Sequence, residues 1–249
     1  MSLDILTYNI KGLPWCKDYI EDICVFLSKV QPSIICLQEV FLERSREFYK
    51  LFLEAIGYVV ILPHDMDVTV LPSGLVTAFK RSEFNLLSKV FCPYLDTHNL
   101  EWFALKGFHV LKLQQISNGR IFYLANTHTQ SDTFVKLFFG KELDRMRHLQ
   151  ARQIYNHFKI VPETVLIVGD LNCEEEPDEC MLFLRPAGTG SLKKRTFFST
   201  GEDLDHCACL RDRPAPRADG VRVYSEPWSD HAAVRFKVTL PNSDSPKPL

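Results

Sequence analysis

Thr164-Val165-Leu166-Ile167-Val168-Gly169-Asp170-Leu171-Asn172 is a short apolar run that stops abruptly in polar residues. Its length, its β-branched side chains and the Gly at its end predict a buried strand rather than a helix. Working outward, the same arrangement recurs. Residues 3–10 end in Thr7-Tyr8-Asn9, and residues 33–40 in Cys36-Leu37-Gln38-Glu39. Residues 121–126 run into Thr127-His128-Thr129. Asp203-Leu204-Asp205 and Ser229-Asp230-His231 stand against further strand-like runs at 204–210 and 232–239. If these strands lie side by side, their ends bring Asn, Glu, His and several Asp residues to one rim. Glu39, next to Ile34-Ile35-Cys36-Leu37, needs a partner for its charge. A hard cation with oxygen ligands is the natural one. Each piece has a plainer reading by itself: a solvated strand end, an Asx turn or a hydrogen-bonded structural histidine. The order and the combination carry the argument.

The remaining pattern alternates strands and helices. Helices are expected over residues 18–30, 44–56, 142–158 and 176–184, and further strands over 58–62, 75–79, 84–90, 108–114 and 221–224. Asn118-Gly119 marks a hairpin turn before the strand at 121. Helices spaced between many strands predict an α/β fold of two sheets packed face to face with helices outside. The 249 residues suit one domain over 1–240, with a flexible Pro- and Ser-containing tail over 241–249.

The net charge of −2 lacks the Lys and Arg excess of a protein that grips long nucleic acid. Lys193-Lys194-Arg195 is the compact basic run, read as a solvated loop. Most of the eight cysteines are read as reduced, and several as small buried hydrophobes. His206-Cys207-Ala208-Cys209 has no second pair at zinc spacing, so structural zinc is not expected. No signal-peptide pattern precedes Leu3, and no apolar stretch is long enough to cross a bilayer. A cytoplasmic location is the expectation, compatible with peripheral membrane contact. Phe134, Leu137, Phe138 and Phe139, after His128, form either the core side of a loop or a lipid-contacting one.

Taken together, Thr7-Tyr8-Asn9, Leu37-Gln38-Glu39-Val40, Asn126-Thr127-His128, Gly169-Asp170-Leu171-Asn172 and Ser229-Asp230-His231 resemble the endonuclease/exonuclease/phosphatase superfamily. The resemblance covers almost the whole chain and implies the deoxyribonuclease-I-like fold, a four-layer α/β sandwich with two mixed sheets. It also implies a Mg²⁺-dependent phosphodiesterase, with Mn²⁺ as a substitute. Glu39 would be the principal metal ligand, with Asn9 close by and Asp230 as a second ligand or a contact behind it. Asp170 would orient or deprotonate the attacking water, and Asn172 would donate to a phosphoryl oxygen. His231 would contact the phosphate, held by Asp205, and His128 would serve as donor or general acid for the leaving group. Whether Asp170 or His231 is the base, and whether one or two metals bind, stays open.

Within the superfamily three stretches are similar to neutral sphingomyelinases. They are Ser73-Gly74-Leu75, Trp102-Phe103-Ala104-Leu105-Lys106-Gly107-Phe108, and Thr127-His128-Thr129-Gln130-Ser131-Asp132 with Arg147, Gln150 and Gln153-Ile154. They imply a phospholipid diester as substrate, met at a membrane surface, with no obligate protein partner. A nuclease or a nucleotide or phosphoinositide phosphatase on the same scaffold is the alternative. Lys11 stands where abasic-site endonucleases carry an acidic residue, and His206 where Tyr is common. Residues 211–220 lack the exposed apolar hairpin of secreted bacterial sphingomyelinases. A binding module without catalysis is a third reading, which the intact polar set disfavours.

Overall fold

The computed structural model describes residues 2–63, 71–97, 104–131, 136–186 and 195–241, without the side chains of 136–139. The chain runs β1 (Ser2–Gly12), α1 (Ile20–Val30), β2 (Ile34–Val40), α2 (Glu43–Ala55), β3 (Tyr58–Ile61), β4 (Val76–Lys80), β5 (Phe84–Pro93), β6 (Gly107–Gln115) and β7 (Ile121–His128). It continues through α3 (Lys136–Phe158), β8 (Val165–Asp170), β9 (Met181–Phe183), β10 (Asp205–Leu210), β11 (Arg217–Tyr224) and β12 (Ala233–Thr239).

Two mixed six-stranded sheets result, in the orders β11-β12-β1-β2-β4-β3 and β5-β6-β7-β8-β10-β9. Each has one parallel pair at its centre. β1 and β2 are joined through α1, and β7 and β8 through α3. Parallel strands need such crossovers, and they end on the same side of the sheet. Asn9 therefore stands beside Gln38, and His128 beside Asp170.

The central strands are apolar along most of their length because both faces are covered. On β2, Ile34 and Cys36 enter the core between the sheets, while Ile35 and Leu37 pack under α1 and α2 with Leu27 and Tyr49. On β8, Leu166 and Val168 face the first sheet, and Val165 and Ile167 pack against Ile154 and Phe158 of α3. The layers are helix, sheet, sheet and helix, as expected.

Two elements differ from the sequence reading. α3 starts at Lys136, earlier than residue 142. Residues 176–184 form no helix: Met181–Phe183 is the edge strand β9, paired with β10. Pro177 cannot donate, and the acidic side chains compete for the backbone. Asp178 Oδ1 accepts the Cys180 N–H at 2.8 Å and Glu176 Oε1 the Phe183 N–H at 3.2 Å. The exposed edge of β10 then takes the short apolar run.

Gly119 makes the hairpin turn with φ 71°, its Asn118 side chain accepting the Arg120 N–H. All eight cysteines are free thiols, and Cys36, Cys207 and Cys209 lie in the core between the sheets. No helix among the described residues is long and apolar enough to cross a membrane. Trp102, Phe103, Asp132, Phe134, Lys193 and Lys194, the side chains of Leu137, Phe138 and Phe139, and the tail over 242–249 lie outside the described residues.

Candidate active site

The strand ends that gather the polar residues are also where the backbone departs from regular geometry. Non-glycine residues with positive φ among those described are Lys11, Gln31, Glu39 and Asn172. Gln31 caps α1, and the others lie at the rim. Such conformations cost about 1–3 kcal/mol each and persist where surrounding contacts impose them. Behind Glu39 (φ 60°) passes Gly74, whose carbonyl accepts the Val40 N–H at 2.8 Å. A Cβ on Gly74 would come within 2.7 Å of the Phe41 ring. Gly169, at φ 151°, lets β8 close on β7 just before Asp170: a Cβ there would sit 1.9 Å from the Thr127 carbonyl oxygen.

Asn9 joins the two sheets. Its Nδ2 donates to Glu39 Oε1 at 2.9 Å and to Asp170 Oδ2 at 3.0 Å, while its Oδ1 accepts the Lys11 N–H. No other described group donates a hydrogen bond to the Glu39 carboxylate, whose side chain keeps 18% exposure. Burial pushes the Glu39 carboxyl above its ordinary range, against the pull of Asn9, His231 and Lys106.

Across the rim, Asp170 Oδ2 is the common neighbour. It lies 3.6 Å from His128 Nε2 and 3.6 Å from His231 Nε2. Burial and the adjacent Asp205 raise the Asp170 carboxyl to about 6, although His231, Asn9 and the Asn172 N–H act to lower it. Asp205 faces Asp170 across the β10–β8 register, and its Oδ2 holds His231 Nδ1 at 2.8 Å. For His231, burial opposes the charge, but Asp205 and Asp170 outweigh it and lift the imidazole to about 10. It is an imidazolium at neutral pH.

His128 is the opposite case. Burial, Lys106 and His231 hold it well below the usual histidine range, so it is neutral. Lys106 Nζ lies 3.4 Å from its Nε2 and donates to the Thr129 carbonyl at 2.7 Å. An ammonium can only donate. Nε2 therefore accepts, and the ring proton falls on Nδ1, which is buried without a partner. Asn172 donates its backbone N–H to Asp170 Oδ1 at 3.0 Å and Nδ2 to the Thr129 carbonyl at 3.2 Å.

Asn9, Glu39, His128, Asp170, Asn172, Asp205 and His231 thus come together. Asp230 stands apart: its carboxylate pairs with Lys11 Nζ at 2.8 Å on the more exposed rim. Lys106, Phe197 and Thr196 were not among the expected site residues. Lys106 is a buried cation in the apolar run Ala104-Leu105-Lys106-Gly107-Phe108, and that isolation was its signal. Phe197 places its ring 4.8 Å from that of His231, and the Thr196 carbonyl accepts the Ala232 N–H at 2.6 Å. Nothing in the local sequence marks either residue.

No family model and no curated protein matches the sequence. Solved structures do match. D. rerio TDP2 complexed with single strand DNA product is 15% identical, with a TM-score of 0.73, covering 96% of this chain and 99% of that one. A beta toxin double mutant from Staphylococcus aureus with bound magnesium ions is 16% identical, with a TM-score of 0.73 over 97% and 100%. An endonuclease/exonuclease/phosphatase from Bacteroides vulgatus is 17% identical, with a TM-score of 0.71 over 97% and 100%. The fold is the deoxyribonuclease-I-like sandwich.

In this sandwich the buried oxygens offer two conceivable cation seats. Asp170, Asp205 and His231 each present a ligand atom within 4.8 Å of one another. Asp205 is already bonded to His231 and Asp170 to Asn9 and Asn172, however, and the imidazolium repels a cation. Glu39 suits one better, having an oxygen without a donor and partial access to water, although Asn9 turns its Nδ2 rather than its Oδ1 toward it. An oxygen-only seat with few carboxylates fits Mg²⁺ retaining several waters, and Mn²⁺ takes similar ligands.

Proposed function

We propose that the protein is a Mg²⁺-dependent phosphodiesterase that cleaves a phospholipid diester in the manner of a phospholipase C. One observation carries the reading: Glu39 from the first sheet and Asp170 from the second meet through a single amide, that of Asn9, beside two histidines in opposite charge states. A cation held by Glu39 would offset the charge of the phosphate and stabilise the leaving oxygen.

The chain's own groups divide the remaining work. His231, already charged and fixed by Asp205, presents Nε2–H toward a phosphoryl oxygen and has no capacity left to act as base. Asp170 is mostly ionised at neutral pH, and its Oδ2 is the acceptor that orients a water and takes its proton. Asn172 gives one amide N–H to the Thr129 carbonyl and has a second for the phosphate. Lys106 adds fixed positive potential beside neutral His128.

The lipid substrate rests on the sphingomyelinase-like stretches, which flank the site. Gln150 Oε1 accepts the Gln130 N–H at 2.9 Å, so α3 anchors the segment that follows His128. Ser73 is buried ahead of β4, and its Oγ accepts the Leu75 N–H at 3.3 Å.

A substrate panel tests both levels. Choline phosphate release from sphingomyelin vesicles, cleavage of single-stranded DNA, and phosphate release from phosphoinositides and nucleotides would be measured with Mg²⁺ and with excess EDTA. Choline phosphate release that EDTA abolishes and Mg²⁺ restores is the expected result. DNA cleavage alone would move the substrate to the nuclease reading, in line with the product held by TDP2. Undiminished turnover in chelator would refute the metal-dependent mechanism.

A further inference from the structure

Beneath the rim, five buried polar side chains from both sheets form one hydrogen-bonded line. Thr7 Oγ1 on β1 donates to Gln38 Oε1 on β2 at 3.1 Å, and Gln38 Nε2 donates to Asn126 Oδ1 on β7 at 2.9 Å. Asn126 Nδ2 donates to Thr77 Oγ1 on β4 at 3.2 Å, and Thr77 Oγ1 lies 3.1 Å from His109 Nδ1 on β6. Thr77 Oγ1, which can accept twice, and the His109 imidazole, which burial keeps neutral, can make this last link in either direction. The links from Thr7 through Gln38 and Asn126 to Thr77 donate in one direction, an arrangement in which successive bonds polarise one another. None of the five is more than 1% exposed.

Asn126 is the member that crosses between the sheets. Its Nδ2 also faces the carbonyls of Leu37 at 3.3 Å and Val76 at 3.1 Å, which fixes the orientation of its amide. Leu37 and Val76 are the last pair in the β2–β4 register. Past them the strands part and Glu39 takes its positive φ. A regular strand would turn Glu39 to the face opposite Gln38. The left-handed residue instead brings it round to Asn9. Asn126 enters where this departure starts, one residue from Glu39 through Gln38 and two residues before His128.

Resting on the reading of Glu39 as the cation-binding carboxylate, we infer that Asn126 is a positioning residue that keys the second sheet to the first beneath the site and fixes Glu39 opposite His128 and Asp170. No other side chain of that size meets the same demands. Leu would remove the side-chain donor from both carbonyls, and Asp would set a charge and lone pairs against them.

The test is Mn²⁺ binding to the intact protein, followed by the EPR signal of the free ion, together with turnover on the substrate panel. Asn126→Leu is expected to raise the Mn²⁺ Kd about 10-fold or more, the usual effect of losing a group that holds a metal ligand in place. Thr77→Val should give a smaller rise and Thr77→Ser should restore wild-type binding. Leu53→Ala, a core truncation on the buried face of α2, is the control and should lose stability with Kd unchanged. Wild-type affinity in Asn126→Leu overturns the inference, as does wild-type affinity in Thr77→Val should the first variant not fold. An equal loss of affinity in Leu53→Ala also overturns it, by marking the effect as general destabilisation. Wild-type protein that binds Mn²⁺ yet hydrolyses no member of the panel would remove the functional reading and leave the positioning role standing. Absence of Mn²⁺ binding in the wild type would overturn both.

Discussion

At the end of the sandwich where β1 begins, Asp4 is clamped by Arg235, which donates from Nε at 2.6 Å and again from Nη2. Nearby, Ser33 donates to Glu83 at 2.6 Å, with Lys80 at 3.5 Å. At the other end, Asp170 and Asp205, both buried, share the single imidazolium of His231, and Glu39 has an amide where the far end has cations. One end matches the Asp4 and Glu83 carboxylates to cations on the partly exposed surface. The other end keeps negative charge out of water, short of direct partners, on left-handed backbone. An arrangement this costly for folding is intelligible as a seat for a cation and a phosphate.

The largest effect expected from this contrast is at Glu39 and His231. Glu39→Gln and His231→Ala should each lower kcat/KM on the substrate identified by the panel by about 100-fold or more. The Glu39 change carries a second signature. Its buried carboxyl is pushed upward, so the folded state disfavours the charged form. The metal-free Gln variant should therefore melt no lower than wild type at neutral pH. A lower Tm would mean that the carboxylate is already balanced by protein groups.

A smaller effect concerns pH. In the folded protein His231 is lifted to about 10, above an ordinary histidine value of about 6.5. A raised pKa contributes stability that is fully present below the unfolded value and is lost as pH climbs through the folded one. The stability difference between wild type and His231→Gln, measured in EDTA, should shrink from about pH 6.5 to about 10. A difference that stays constant across that window would show that the imidazole is neutral.

The smallest effect belongs to the far end. Arg235→Ala removes a partly exposed ion pair and should cost about 1 kcal/mol of stability with hydrolysis unchanged. A loss of activity there would erase the distinction between the two ends.

Much of the site could be read from the chain because local chemistry and strand period pointed the same way. Asn9, Glu39, His128 and Asp170 each close a strand too apolar to be anything but buried on both faces. Parallel crossovers then leave those ends on a common side. The reading failed where the local signal was weak or shared. Residues 176–184 carry enough apolar spacing for a helix, but Pro177 and the Asp178 turn give the backbone another partner, and β10 offers an open edge. For Asp230, which the resemblance implies as a second ligand or a contact behind it, the structure shows a carboxylate paired with Lys11.

The charge states of the two histidines were beyond sequence reasoning, since they depend on which groups lie within a few ångströms rather than on the histidines' own neighbours in the chain. The sequence by itself determined most of the strands, the fold class and the set of polar residues at the strand ends, because these follow from periodicity and side-chain chemistry over short stretches. Only the tertiary structure decided that Asn9 bridges Glu39 to Asp170, that Asp205 charges His231 while Lys106 faces a neutral His128, and that Asn126 joins the sheets below. Those contacts depend on how two separately formed sheets are set against each other, a relation no short stretch of chain encodes.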